Sequence, residues 1–168
     1  MIAALTGHRP DKLPGGYDHD SVGRATIRYL LRSFFVRRRI EKVVSGMALG
    51  FDQDGAEVAL ELGLHLCCAV PCDEQDRMWP QESRTVYQRM LASAAEVVIV
   101  SPGPYAAWKM QTRNVYMVDR AAAAHGWLVA AHESGTPGGT QNCLAYADTK
   151  PLLNRHNIWP ELQELLRR

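Results

Sequence analysis

Five times along this chain a short apolar run is followed by a polar loop bearing glycine or proline, and then by a segment whose apolar residues recur at helical spacing. The apolar runs cover residues 2–6, 42–45, 65–70, 96–100 and 127–131. Alternation of this kind argues a mainly parallel sheet with helices on both faces. Crossovers between parallel strands are right-handed, and ligands of such sheets bind beyond the carboxyl ends of the strands. All five loops at that edge carry unusual chemistry. They read GHRP, SGMALG, PCDEQ, SPGPY and ESGTPGGT, whereas the loops at the other edge are plainer. This asymmetry locates a binding site.

The last of these loops is the most telling. It lies between the strand Trp127–Ala131 and a helical segment over residues 141–147, and it holds Gly138, Gly139 and Thr140. Glycines admit a ligand where a Cβ would collide. A helix starting there turns its unpaired N–H groups and the positive end of its dipole toward the loop, which suits phosphate. A plain turn with Thr140 as helix cap is the alternative.

Elsewhere the elements follow from periodicity. Ser21 or Asp20 caps a helix that turns Ile27, Leu30, Leu31, Phe34 and Phe35 inward. Arg24, Arg28, Arg32 and Arg37 to Arg39 form its solvated face. Gly63 ends the second helix and Gly126 the fourth. A third helix over residues 82–94 turns Val86, Met90 and Leu91 inward. Residues 151–154 read as an edge strand and 160–168 as a final helix. With 168 residues and neither linker nor repeat, the chain is expected to be one domain over 1–168.

Several functional classes are disfavoured. The net charge is +1, so an extended nucleic-acid surface is not expected. No apolar run spans a membrane and no leader is evident, so the expected location is the cytoplasm. The four cysteines, at 67, 68, 72 and 143, form no CxxC pair, so no metal site is expected and the thiols are read as free and buried. Cys67 and Cys68 are adjacent in a strand and point to opposite faces. Neither GxGxxG nor GK[ST] occurs, so dinucleotide and Walker-type enzymes are disfavoured and no cofactor is expected.

What remains fits a nucleotide-like ligand. Gly46, Gly50, Gly138, Gly139 and Thr140 supply backbone donors near helix starts. Arg9 and Arg113 supply forks for phosphate or carboxylate. Trp79, Tyr105 and Trp108 are candidates to stack on a planar base, with core packing expected to claim at least one of the two tryptophans.

These residues also form a familiar ordered series. Thr6-Gly7-His8-Arg9-Pro10, Ser45-Gly46-Met47-Ala48-Leu49-Gly50-Phe51-Asp52, Gln75 with Trp79, Arg113-Asn114 with Met117-Val118-Asp119, and Gly138-Gly139-Thr140 with Asn142-Cys143 and Tyr146-Ala147 occur in that order. The chain thereby resembles the YpsA/YoqJ-like branch of the SLOG superfamily, a branch found in phages and bacteria, over nearly all its length to Ala147. The resemblance implies a Rossmann-like three-layer α/β/α fold with a sheet of five to six strands. It implies a homodimer and a nucleotide or nucleotide-derived ligand held by Gly7, His8, Arg9, Ser45, Gly46, Gly50, Asp52, Trp79, Arg113, Asn114, Gly138, Gly139 and Thr140.

Within the superfamily, the Lonely Guy phosphoribohydrolases cut the N-glycosidic bond of nucleoside monophosphates. Their Met, Arg-Lys, Met helix motif is matched by Met110, Arg113, Asn114 and Met117, with Asn114 in place of the lysine. Their catalytic Glu, three residues beyond the GT pair, is replaced by Cys143. An oxocarbenium-like state calls for a carboxylate, and Glu57, Asp52, Asp119 and Glu133 are the candidates from other loops, with Arg113 as a further catalytic candidate. Three functions follow: a binding, sensing or sequestering protein; a nucleotide N-glycosidase; and a DNA-processing factor like DprA.

Overall fold

The computed structural model describes residues 1–168. Its six strands are β1 (Ile2–Gly7), β2 (Lys42–Ser45), β3 (His65–Val70), β4 (Glu96–Ile99), β5 (Trp127–Ala131) and β6 (Asn154–Asn157). All pair in parallel, in the order β4-β3-β2-β1-β5-β6. The chain steps outward from β1 to β4, then jumps back over the sheet to place β5 on the other side of β1. Three helices, α1 (Val22–Arg37), α2 (Phe51–Glu61) and α3 (Gln81–Ser93), make the outward steps. The return uses α4 (Ala107–Ala123), and α5 (Gly139–Ala147) makes the further step from β5 to β6. Reversing the winding at constant crossover hand puts the second set on the opposite face. Two cores result. Leu5, Val43, Leu66 and Val129 pack under α1–α3 and the last helix, α6 (Trp159–Arg167). Ala4, Val44, Cys67 and Leu128 pack under α4 and α5.

The sequence-derived elements hold with small shifts. Cys67 and Cys68 fall in opposite cores, and all four cysteines are free and buried. Ser21 caps α1, its Oγ accepting from the Arg24 N–H at 3.2 Å. The edge strand lies three residues later than expected, at Asn154–Asn157, because residues 151–152 form a turn that carries the chain from α5 to the sheet edge. In α3 the inward residues are Tyr87 and Met90, while Val86 is exposed.

Arg24 corrects the expected solvated face of α1. It is buried, and its guanidinium donates to both Asp54 carboxylate oxygens at 2.7 and 2.9 Å and to the Gly16 carbonyl at 2.8 Å. A weaker 3.4 Å bond reaches the Gly50 carbonyl. Arg28 adds a second cation to Asp54 at 3.3 Å. Burial alone raises the Asp54 carboxyl pKa, and the two arginines oppose that shift. The pair fixes α1 to α2 and ties both to the loop after β1.

Breaking such a pair leaves one charge buried without its partner. Asp54→Ala is expected to cost about 3–5 kcal/mol in urea unfolding. An apolar double replacement, Arg24→Met with Asp54→Leu, should cost less than Asp54→Ala alone. A loss below about 1 kcal/mol for Asp54→Ala, the range of exposed pairs, would make this a surface-like pair.

Candidate functional site

Where the winding reverses, the loops after β1 and β5 diverge and leave a crevice. The cleft between them has a volume of about 250 Å³. Its walls come from four segments: Thr6 to Arg9 with Asp11 and Lys12; Ala48 and Asp52; Met110, Arg113 and Asn114; and His132 with Thr136 to Thr140.

The floor is a buried arginine. Arg113 projects from α4 and donates from Nη1 to the Gly46 carbonyl at 2.7 Å and from Nε to the Asn114 Oδ1 at 3.3 Å. A Cβ on Gly46 would sit 2.7 Å from the Arg113 guanidinium carbon, so a side chain there would push the guanidinium from its place. Gln75 also donates to the Gly46 carbonyl, at 3.1 Å, and accepts from the Tyr87 hydroxyl. Desolvation lowers the Arg113 pKa, and Asp52 raises it.

Asp52, on the first turn of α2, is the counter-charge. It is buried, and its Oδ2 accepts from the Ala48 N–H at 3.3 Å. Burial pushes its carboxyl up to about 6, against the pull of Arg113, the Ala48 amide and Arg9. Ser45 holds this loop from beneath, donating to the Asp52 carbonyl at 2.8 Å and accepting from the Met47 N–H. Met47 itself is fully buried with φ of 60°, a conformation costly for a side-chain-bearing residue. The Gln53 amide donates to its carbonyl.

The roof is the α5 N-terminus. Gly138, not Thr140, is the N-cap, and no side chain caps the helix. Gly138 has φ of 134°, so the turn selects glycine there. A Cβ on either Gly138 or Gly139 would meet no protein atom within 4 Å. The first-turn N–H groups therefore border open cleft. Asn114 donates weakly, at 3.4 Å, to the Gly139 carbonyl and so ties α4 to this turn.

Histidines form the side wall. The His8 Nε2 accepts from the Glu133 N–H at 3.0 Å, which places the proton of the neutral ring on Nδ1. Burial lowers the His8 pKa, so the neutral ring is favoured. The His132 Nε2 bonds the Thr136 carbonyl at 2.9 Å and braces the last loop. Arg9 and Lys12 stand at the mouth, exposed and outside every ion pair.

Beyond Arg9, Ala48 and Met110 the cleft adjoins a larger chamber of about 890 Å³ with Trp79, Tyr105, Met78 and Pro104 in its walls. Trp79 is half-buried and meets the Tyr87 ring edge-on at 5.1 Å. Tyr105 is 69% exposed and free to move against a ligand.

Of the residues expected at the site, Gly7, His8, Arg9, Asp52, Arg113, Asn114, Gly138, Gly139 and Thr140 line one cleft. Ser45, Gly46 and Gly50 stand behind it and shape its backbone. A Cβ on Gly50 would press the His8 carbonyl at 2.9 Å. Trp79 lines the neighbouring chamber; Trp108 lines neither space and packs on Lys109.

Three of the four candidate acids lie elsewhere. Glu57 pairs with His19 at 2.7 Å in a separate cavity between α2 and α3. Asp119 pairs with Lys150 and the Tyr146 hydroxyl on the surface. Glu133 is exposed, and only its backbone N–H reaches the site. Cys143 is fully buried, and burial raises its thiol to about 11, so it is no base. Asp11, Lys12 and His132 were missed from sequence. The signal available was adjacency: Asp11 and Lys12 follow directly on one post-strand loop already singled out, and His132 directly precedes another.

A family model described as the YspA SLOG family matches residues 3–155. The SPbeta prophage-derived protein YoqJ of Bacillus subtilis is 33% identical over 134 residues, covering 70% of this chain and 74% of that one. A UPF0398 protein of Bacillus thuringiensis is 25% identical over 178 residues, covering 98% of this chain and 94% of the relative. Among solved structures, DNA processing protein A (DprA) from Streptococcus pneumoniae superposes with a TM-score of 0.51 at 13% identity. That match covers 97% of this chain, which spans 60% of the pneumococcal one. The Helicobacter pylori DprA, described in its single-stranded DNA binding mode, gives the same TM-score at 18% identity, covering 99% of this chain and 80% of that one. These two likenesses establish the shared fold.

An ionised Asp52 carboxylate would offset the Arg113 and Arg9 charges that an anion in the cleft would meet. Because its pKa is raised by burial, it is neutral below about 6 and ionised above. Ionisation costs stability as pH rises through that value and cancels positive charge in the cleft. Sulfate affinity, read by calorimetry, is expected to fall about tenfold from pH ~5 to pH ~7.5, one pKa unit of coupling being a tenfold effect. Asp52→Asn should flatten the profile. A wild-type affinity that rises with pH would remove Asp52 from the competition.

Proposed function

The chain belongs to the YspA SLOG family, and we propose that it binds a nucleotide or nucleotide-derived ligand in the cleft at the winding reversal. The phosphate is held by the first-turn amides of α5 with Arg9, Lys12 and Arg113. The base extends past Met110 into the chamber that Trp79 and Tyr105 share. The observation that carries this reading is the pair Gly138 and Gly139: space is left at an uncapped helix start where no protein atom uses it. Helix starts of this kind suit phosphate, and the cations supply charge-assisted contacts. The role favoured is sensing or sequestration.

Asp52 supports a second reading, an N-glycosidase that adds water across the N-glycosidic bond of a nucleoside monophosphate to release base and ribose phosphate. Of the four acids weighed, Asp52 is the one in the cleft, and its pKa of about 6 suits proton transfer near neutrality. Asp11, at the cleft mouth, is the other carboxylate in its lining. Single-stranded DNA is a third ligand to test, given the fold shared with the DprA proteins; its binding would weaken steeply with salt.

A thermal-shift screen against nucleoside monophosphates, larger nucleotide derivatives and a short single-stranded DNA separates these readings, with each hit then incubated and chromatographed. A nucleotide recovered intact supports binding; base plus ribose phosphate supports hydrolysis, and Asp52→Asn should then abolish turnover. Arg9→Ala is expected to weaken binding about tenfold, as loss of a charge-assisted contact would, without change in melting temperature. Gly139→Val should abolish binding in a folded protein. Retained affinity in both variants would move the ligand out of this cleft.

A further inference from the structure

The outer face of α1 carries a stripe unlike the rest of the helical surface. Val22, Tyr29 and Val36 are 74%, 61% and 61% exposed, and they lie seven residues apart. Half-buried Thr26 and Ser33 fill the positions between them. Spacings of four and three alternate along the series 22, 26, 29, 33 and 36, the pattern by which one helix packs lengthwise against another. Nothing in the chain covers it: α2 and α6 flank α1, and its inward residues Ile27, Leu31, Phe34 and Phe35 already fill the core.

The order of residues along the stripe names the occupant. Read from either end it is Val, a small hydroxyl residue, Tyr, a small hydroxyl residue, Val. Such a stripe matches itself when a second copy lies antiparallel about Tyr29. Val22 then meets Val36 and Tyr29 meets its own counterpart, with Thr26 and Ser33 one residue out of step along the seam, close to the self-complementarity a two-fold interface requires. The charges agree. Asp18 and Asp20 are exposed at the start of the helix, and Arg37, Arg38 and Arg39 at its end. Antiparallel pairing sets the arginine cluster of one copy beside the acidic start of the other at both ends, whereas parallel pairing would bring the two arginine clusters together.

We propose that this face of α1 is a two-fold interface between copies of the chain. The 16-residue helix gives a seam about 24 Å long. That is short of a standard interface, so the dimer is a dissociable one. None of the residues that line the cleft lies on this stripe, so pairing does not use them.

Sedimentation velocity across a concentration series tests the interface. The wild-type chain is expected to dimerise reversibly. Tyr29→Asp should raise the dissociation constant by at least about tenfold, since it sets two carboxylates face to face. Tyr29 is exposed, so the melting temperature of that variant should match the wild type. As a geometric check, Tyr29→Cys chains should crosslink to one another under mild oxidation, while the wild type, whose four cysteines are buried, does not. A wild-type chain that stays monomeric at several hundred micromolar overturns the proposal. So does a dimer that survives Tyr29→Asp, or a Tyr29→Cys chain that fails to crosslink.

Discussion

A parallel sheet wound outward from one central strand in both directions cannot close its loops over the point of reversal. Here that point lies between β1 and β5, whose register pairs Gly7 with Ala131 at the carboxyl edge. The His8 N–H still reaches the Ala131 carbonyl, and beyond it the two chains part. Everything that distinguishes the molecule chemically gathers in that gap. The helices behind it, α4 and α5, sit on the opposite face from α1 to α3 because the winding has turned. Consequently Arg113 from α4 and Asp52 from α2 approach the gap from opposite sides of the sheet.

Charge burial at that meeting point is the second organising feature. Two arginines in this chain are almost fully buried, and each has a different electrostatic solution. Arg24 is matched by two oxygens of Asp54 and supplemented by backbone carbonyls, so its charge is spent on the fold. Arg113 has one short carbonyl contact, a longer one to Asn114, and as counter-charge the Asp52 carboxyl, whose pKa burial raises. A cation left with unfilled donors next to an opening is disposed toward an external anion.

Much of this was legible in the sequence, because the alternating apolar runs of a doubly wound sheet are unambiguous once five occur in order. The strand limits at Lys42–Ser45, His65–Val70 and Trp127–Ala131 fall where periodicity places them. The cleft was legible for a related reason, since Gly7 and Arg9 lie at and just beyond the end of β1 and Gly138 and Gly139 where the loop after β5 meets α5, while Arg113, inside α4, was legible from the family motif. Partnership was not. Arg24 reads as one more surface arginine until Asp54, thirty residues on, is brought to it. Glu57 and Asp119 read as catalytic candidates, but helix rotation sends each to a different surface. Asp52 and Glu57 share α2, yet five residues of helix turn them to different sides, and only three-dimensional packing decides which faces the gap.

The glycines divide into two populations by what surrounds them. Gly7, Gly55 and Gly126 are held by the interior, where a Cβ would fall 2.4, 2.2 and 2.4 Å from Phe51, Leu5 and the Ile2 carbonyl. A side chain at any of them forces its neighbours to shift, whatever the protein does. At Gly139 the fold exerts no such pressure, because the space beside it is empty. An evolutionary record of this chain would therefore carry two separable signals. Invariance at Gly7 would report architecture, while invariance at Gly139 would report a molecule that enters and leaves.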